Sequence, residues 1–553
     1  TMTWWNDLWL NESFASWMGD KAVDHLHPEW AMWTQFLTAD TNRALNLDGL
    51  KNSHPIEQIV NDPGEIGQLF DAISYSKGAS IIRMLEDFLG PGIFQKGLHN
   101  YLTTHQYKNA QTKDLWESFE HISGQPVTTI MDTWTKQTGY PILDTKIHSK
   151  ENLIEVNITQ SKFIYENVLG KTDTKGVLWH IPITIRSASN ANPVSILMDN
   201  QEVTTNLEPA PYGSSDEWVK LNPLQTGFYR VKYPPDELSK LMYPIQNLVL
   251  PAPDRLGIQN DTYALAKSND ISIREFLNIT KAYVNENDAS VCADLASHLN
   301  NLDGLLWDKP YYITFQTFAR NIFKPIGART GWKPQHKEGH LQVLLRSTVL
   351  SQLGRYDDIP TIKEANKRFE QYVTNSTHIN PDIRSLVFNL AAKHGGHSTY
   401  DTMWEIQKQT NLQEEKERLL VALSNFKQPD LIGDILKKSL SNEVRTHDAI
   451  TVLTSVSNNR HGRELAWEFL KSNWNEFKRR YGDGGFGLMR IVSISSGFST
   501  SEKLHDVEQF FLANPTPAAE RTIQQSIERI KLNVAWINHN SSVLQDWFAE
   551  YES

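Results

Sequence analysis

Trp4-Trp5-Asn6-Asp7-Leu8-Trp9-Leu10-Asn11-Glu12-Ser13-Phe14-Ala15 reads, on composition alone, as an aromatic-rich helix whose Asn11-Glu12 pair caps or solvates a turn. Outward from it the pattern stays helical to about Tyr140: Ile81, Ile82, Leu85, Phe88 and Leu89 make an apolar stripe that Gly90-Pro91-Gly92 stops. Between about Pro141 and Tyr233 the texture changes to short alternating runs. Ile154-Glu155-Val156-Asn157-Ile158-Thr159 and Ile181-Pro182-Ile183-Thr184-Ile185 are examples, separated by Asn, Gly, Ser and Asp clusters. A stretch of this kind predicts a small β-sandwich. From Pro234 onward helical segments follow one another, as at Glu415 to Leu423 and Asp430 to Leu440, with apolar residues at i, i+3 and i+4. Such stacking predicts an α-solenoid of HEAT type.

Composition narrows the function. The chain has 553 residues, 39% of them hydrophobic, enough for several cores. No stretch approaches the roughly 18 to 20 apolar residues that a membrane span needs, and the start lacks the charge and apolar pattern of a targeting peptide. One cysteine, Cys292, excludes an internal disulfide framework and a Cys-based zinc ribbon, and fits a reducing, cytoplasmic setting. A net charge of -11 without long like-charge runs argues against nucleic acid as a partner.

The opening run resembles the block W-W-N-D-L-W-L-N-E-[GS]-F-A of the gluzincin zinc aminopeptidases, which follows an H-E-x-x-H motif after a fixed spacer. The resemblance implies that Glu12 is the third zinc ligand. Two His one helical turn apart leave a tetrahedral Zn2+ needing a third protein ligand and an open position for water. Those two His, the general-base glutamate and the amine-binding block are expected upstream of Thr1, so the chain alone is expected to be inactive. Phe70-Asp71-Ala72-Ile73-Ser74-Tyr75-Ser76-Lys77-Gly78-Ala79 matches the family's second signature, which implies that Tyr75 donates a hydrogen bond to the oxyanion formed during peptide hydrolysis. Gly19 stands where close members carry a glutamate that supports a zinc-bound His from outside. Asp20 is the candidate replacement, although it lies about 100° further round the helix.

Further blocks resemble the puromycin-sensitive branch: Ser53-His54-Pro55-Ile56, Thr135 to Pro141, Gly227-Phe228-Tyr229-Arg230-Val231, Asp254 to Asp261 and Pro515 to Gln525. The resemblance implies a mainly α chain with a small β domain. Its parts are the helical C-terminal portion of a thermolysin-like catalytic domain (1–140), the β-sandwich (141–233) and the helical solenoid (234–553), acting on peptide substrates. Phe486 and Arg490, after Gly484-Gly485, are candidates to meet the distal end of a peptide; a packing role stands beside this for Phe486, and Arg490 carries both readings. His336 and His340 have the spacing of a metal pair but read as a loop and helix start, and His394-Gly395-Gly396-His397 reads as a turn. The contrasting reading of the whole chain is a non-catalytic helical solenoid that binds peptides or a partner protein.

Overall fold

A computed structural model describes residues 2–61, 63–150, 153–170, 176–189, 193–208, 217–375, 378–482 and 485–552. The chain divides into two compact units, Thr1–Glu286 and Asn287–Ser553. Helices dominate both, and strands occur, among the described residues, only in the first. No helix among those residues is long and apolar enough to cross a membrane.

In the first unit, helix α1 (Leu8–Leu26) runs from the aromatic block to His27-Pro28, where proline disfavours further helix. Trp9, Ser13 and Trp17, one turn apart, are buried together. The Trp9 indole donates to Thr112 Oγ1 at 3.1 Å, and Asp7 accepts from both the backbone and the hydroxyl of Thr112 at 2.9 and 2.6 Å. Helix α2 (Gly78–Leu89) buries every residue from Gly78 to Leu85 and ends at Gly90, whose φ of 79° suits glycine. The two helices meet at Gly78, where an added Cβ would stand 2.0 Å from Ser13 Oγ. Only a residue without a side chain permits that approach.

The β region holds seven strands: β1 (Pro141–Lys150), β2 (Leu153–Lys162), β3 (Ile181–Ser187), β4 (Val194–Met198), β5 (Glu202–Leu207), β6 (Val219–Leu221) and β7 (Arg230–Lys232). They form a four-stranded sheet in the order β5-β2-β1-β7 and a three-stranded sheet in the order β4-β3-β6. All pairs are antiparallel except β1 with β7. Ile154, Val156 and Ile158 of β2 and Ile181, Ile183 and Ile185 of β3 are buried at every second position, as the alternation predicts.

The texture change at Tyr233 is not where the first unit ends. Arg230, fully buried, donates to the Tyr140 hydroxyl at 3.0 Å, to Asn260 Oδ1 at 2.8 Å and to Asp261 Oδ1 at 3.0 Å. Asp261 also accepts from the Val231 amide at 3.1 Å. Asn260 and Asp261 lie on helix α3 (Ala252–Lys267), which is thereby tied to β7. Arg255 of the same helix pairs with Glu286, the last residue of the unit, through two bonds of 2.7 and 2.6 Å.

In the second unit every other helix packs on the next but one: Ala289–Leu306 on His340–Arg355, that on Pro381–His394, then Gln413–Leu423, then Thr446–Asn458. The helices expected near 415–423 and 430–440 appear as Gln413–Leu423 and Pro429–Ser439.

Replacing Arg230 with Met would leave Asp261 a buried carboxylate without its cation. The stability of the first unit should fall by about 3–5 kcal/mol, read from the urea midpoint of its unfolding transition.

Candidate functional site

The second signature folds as one wide helical turn, Ile73–Lys77, that feeds directly into α2. Such π-type turns gather at functional positions because they displace side chains from the regular helical register. Two contacts hold its backbone. Ser13 Oγ donates to the Ser74 carbonyl at 2.6 Å, so the residue after Glu12 bonds the residue before Tyr75. Lys77 and Asp48, both with wholly buried side chains, pair at 2.8 Å, and Lys77 Nζ also donates to the Gly139 carbonyl at 3.1 Å.

Between those fixed points the Glu12 and Tyr75 side chains remain partly exposed, and the Glu12 carboxylate lies near enough to the Tyr75 hydroxyl to act on its acidity. The structure therefore brings together the central residues of two motifs far apart in the chain. Burial, then the neighbouring Glu12 carboxylate, push the Tyr75 phenol up to about 12. It is a protonated donor throughout the physiological range.

Asp20, two turns beyond Glu12 on α1, sits against another acid. Burial and the charge of Asp40 push its carboxyl up to about 6, and Asp40 accepts from Ser76 Oγ at 2.7 Å. At the neighbouring Gly19 an added Cβ would meet nothing within 4 Å, so a longer side chain has room there.

Among the described residues no group of three or more His, Cys, Asp or Glu side chains could hold a metal ion. Glu12 supplies one carboxylate, whereas a zinc site of the catalytic kind takes three protein ligands. The described residues do not form such a site by themselves. Glu338, between His336 and His340, is committed to Arg346, with a bond of 2.8 Å between two buried side chains, and His340 begins a helix. His394 ends one helix and His397 begins the next; burial, with Lys393 and Lys427 nearby, brings the His394 imidazole down to about 4.

Phe486 and Arg490 belong to the second unit, on the short helix Phe486–Val492, and Gly484 lies outside the described residues. Phe486 is 63% exposed, which removes the packing role considered for it. Arg490 is exposed, with Nη2 3.5 Å from Thr454 Oγ1. Sequence reasoning missed Ser13 and Lys77 as the supports of the Tyr75 turn. The signal for Lys77 was a lysine set among small and apolar residues at the start of a buried helix.

Residues 1–134 match the family described as "Peptidase family M1 domain", and residues 218–532 match "ERAP1-like C-terminal domain". The chain is 36% identical to Aminopeptidase M1 of Arabidopsis thaliana, over 97% of this chain and 62% of that protein. Identity to Aminopeptidase M1-A of Oryza sativa subsp. japonica is 37%, over 97% and 61%. To glutamyl aminopeptidase of Sus scrofa it is 35%, over 99% and 58%. The chain thus spans about three fifths of the length of these relatives.

Glu12→Gln removes the anion beside Tyr75, so the phenol should ionise below about 12, partway toward the ordinary value near about 10. The sign follows from the proton: the folded chain keeps it where the unfolded chain loses it. The stability so contributed is complete below about pH 10 and is lost as pH rises through about 12. An NMR titration of tyrosine Cζ, with Tyr75→Phe for assignment, reads both.

Proposed function

The chain belongs to the M1 peptidase family, and on that premise we propose that it is the part of a zinc aminopeptidase carrying the third metal ligand, Glu12, and the oxyanion donor, Tyr75. The observation that carries this is the bond from Ser13 Oγ to the Ser74 carbonyl, which brings the residues next to it, Glu12 and Tyr75, together. It sets the proposed metal ligand beside the proposed donor hydroxyl.

Zinc, held by Glu12 and by two His from sequence upstream, would supply an activated water when bound. The chain's own contribution is the donor. Tyr75 keeps its proton at neutral pH, and its backbone is fixed by Ser13 and Lys77, so its hydroxyl can meet the oxygen that gains charge at the scissile carbonyl without reorganising. Asp20 is the proposed outer support of the metal in place of the glutamate missing at Gly19. Its environment beside Asp40 works against this, since a second acid disfavours its charge.

Peptides are the proposed substrates, with Phe486 and Arg490 toward their distal end, and the cytoplasm is the proposed location. The architecture reads as a catalytic helical part (1–140), a β-sandwich (141–233) and a HEAT-type solenoid (234–553), the layered helices of the second unit supporting the last of these.

The chain expressed alone should hold no stoichiometric zinc and release no product from aminoacyl chromogenic substrates. One tightly bound zinc per chain in metal analysis would contradict the assignment of the remaining ligands to upstream sequence. In the protein extended upstream to include the two His, Tyr75→Phe should lower kcat by about 10²–10³-fold with KM little changed. An equal loss in KM would make Tyr75 a substrate-positioning group.

A further inference from the structure

A hydroxyl serves a developing charge only if its backbone is held to within a fraction of an ångström. The first half of the Tyr75 turn has its own anchor. Asp71 Oδ1 accepts from the amides of Ile73 and Ser74 at 2.8 and 3.3 Å, and its backbone carbonyl accepts from the Tyr75 amide at 3.1 Å. The other carboxylate oxygen, Oδ2, is engaged by His54 Nε2 at 2.9 Å.

His54 is 2% exposed, and its second nitrogen, Nδ1, lies 2.8 Å from the Pro55 carbonyl. Both ring nitrogens are thus within hydrogen-bond distance of oxygen atoms that the neighbouring chain supplies. The segment that carries it is itself tied down. Ser53 Oγ donates to Asp48 Oδ1 at 2.7 Å, and the Glu57 amide donates to the Thr135 carbonyl at 2.9 Å. Asp48 is also the partner of Lys77, so the supports at the two ends of the turn converge on one carboxylate.

We propose that His54 is a positioning residue for Tyr75, acting through Asp71: it holds the carboxylate whose other oxygen and backbone carbonyl fix the amides of residues 73–75. The role rests on the reading of Tyr75 as oxyanion donor. A histidine serving only to fill the core would have no reason to orient the one carboxylate that caps this turn.

The test combines a double-mutant cycle in the upstream-extended enzyme with hydrogen exchange on the chain itself. His54→Leu, which keeps bulk and removes both ring nitrogens, should lower kcat on the order of 10-fold or more with KM within about 2-fold. In a Tyr75→Phe background the same substitution should change kcat less than about 2-fold, because the group it positions is gone. His54→Gln, which can still donate to Asp71, should recover much of the loss. The amides of residues 73–75 should lose protection in His54→Leu while those of the Thr112–Ser123 helix keep theirs. Additive losses in the cycle, or unchanged protection of the three amides, would overturn the proposal. If Tyr75→Phe alone left kcat intact, the donor assignment would fail, and the exchange result would still decide whether His54 holds the turn.

Discussion

The buried pair of Lys77 and Asp48 is the contact on which the arrangement of the first unit turns. Two ions with no exposed surface pay heavily for leaving water, and their attraction offsets that cost only when the remaining valences are met. Here they are. Lys77 also donates to the carbonyl of Gly139, and Asp48 also accepts from the Gly139 amide at 3.0 Å and from Ser53. One ion pair thus joins the end of the Tyr75 turn, the segment of His54 and the point where the chain leaves its helices for β1. Breaking it would strand a buried charge and release three segments at once.

A second buried cation does the same work further along. Arg230 lies over the rings of Tyr140 and Phe163 and bonds residues from the end of the helical region and from α3. Several motifs that mark the family resemblance are therefore packing devices. Gly227 to Val231 and Asp254 to Asp261 meet in the Arg230 cluster, and the chemistry is left to a few side chains that this scaffold holds still.

Glu12 and Tyr75 were legible as candidates because each sits in a short, distinctive block. Their proximity was not, since nothing local to either block says that α1 and the Tyr75 turn touch. The reason they touch is Gly78, whose missing side chain lets Ser13 reach the Ser74 carbonyl. The environment of Asp20 was equally hidden. Its neighbour Asp40 comes from a separate helical turn, and the raised pKa follows from burial first and from that meeting second.

The order of elements was open to reading from the sequence alone. Apolar spacing of 3.6 residues marked the helices, alternation marked β2 and β3, and Gly90 marked a helix end, because backbone preference and the burial of one face act over a few residues. Tertiary structure alone decided that the first unit runs past the last strand to Glu286, that Phe486 is exposed, and that His54, Asp71, Lys77 and Asp48 form one support. Each of these depends on which distant segment supplies the partner of a buried charge or hydrogen-bond donor. A local pattern states that the group must be satisfied, and only packing states by whom.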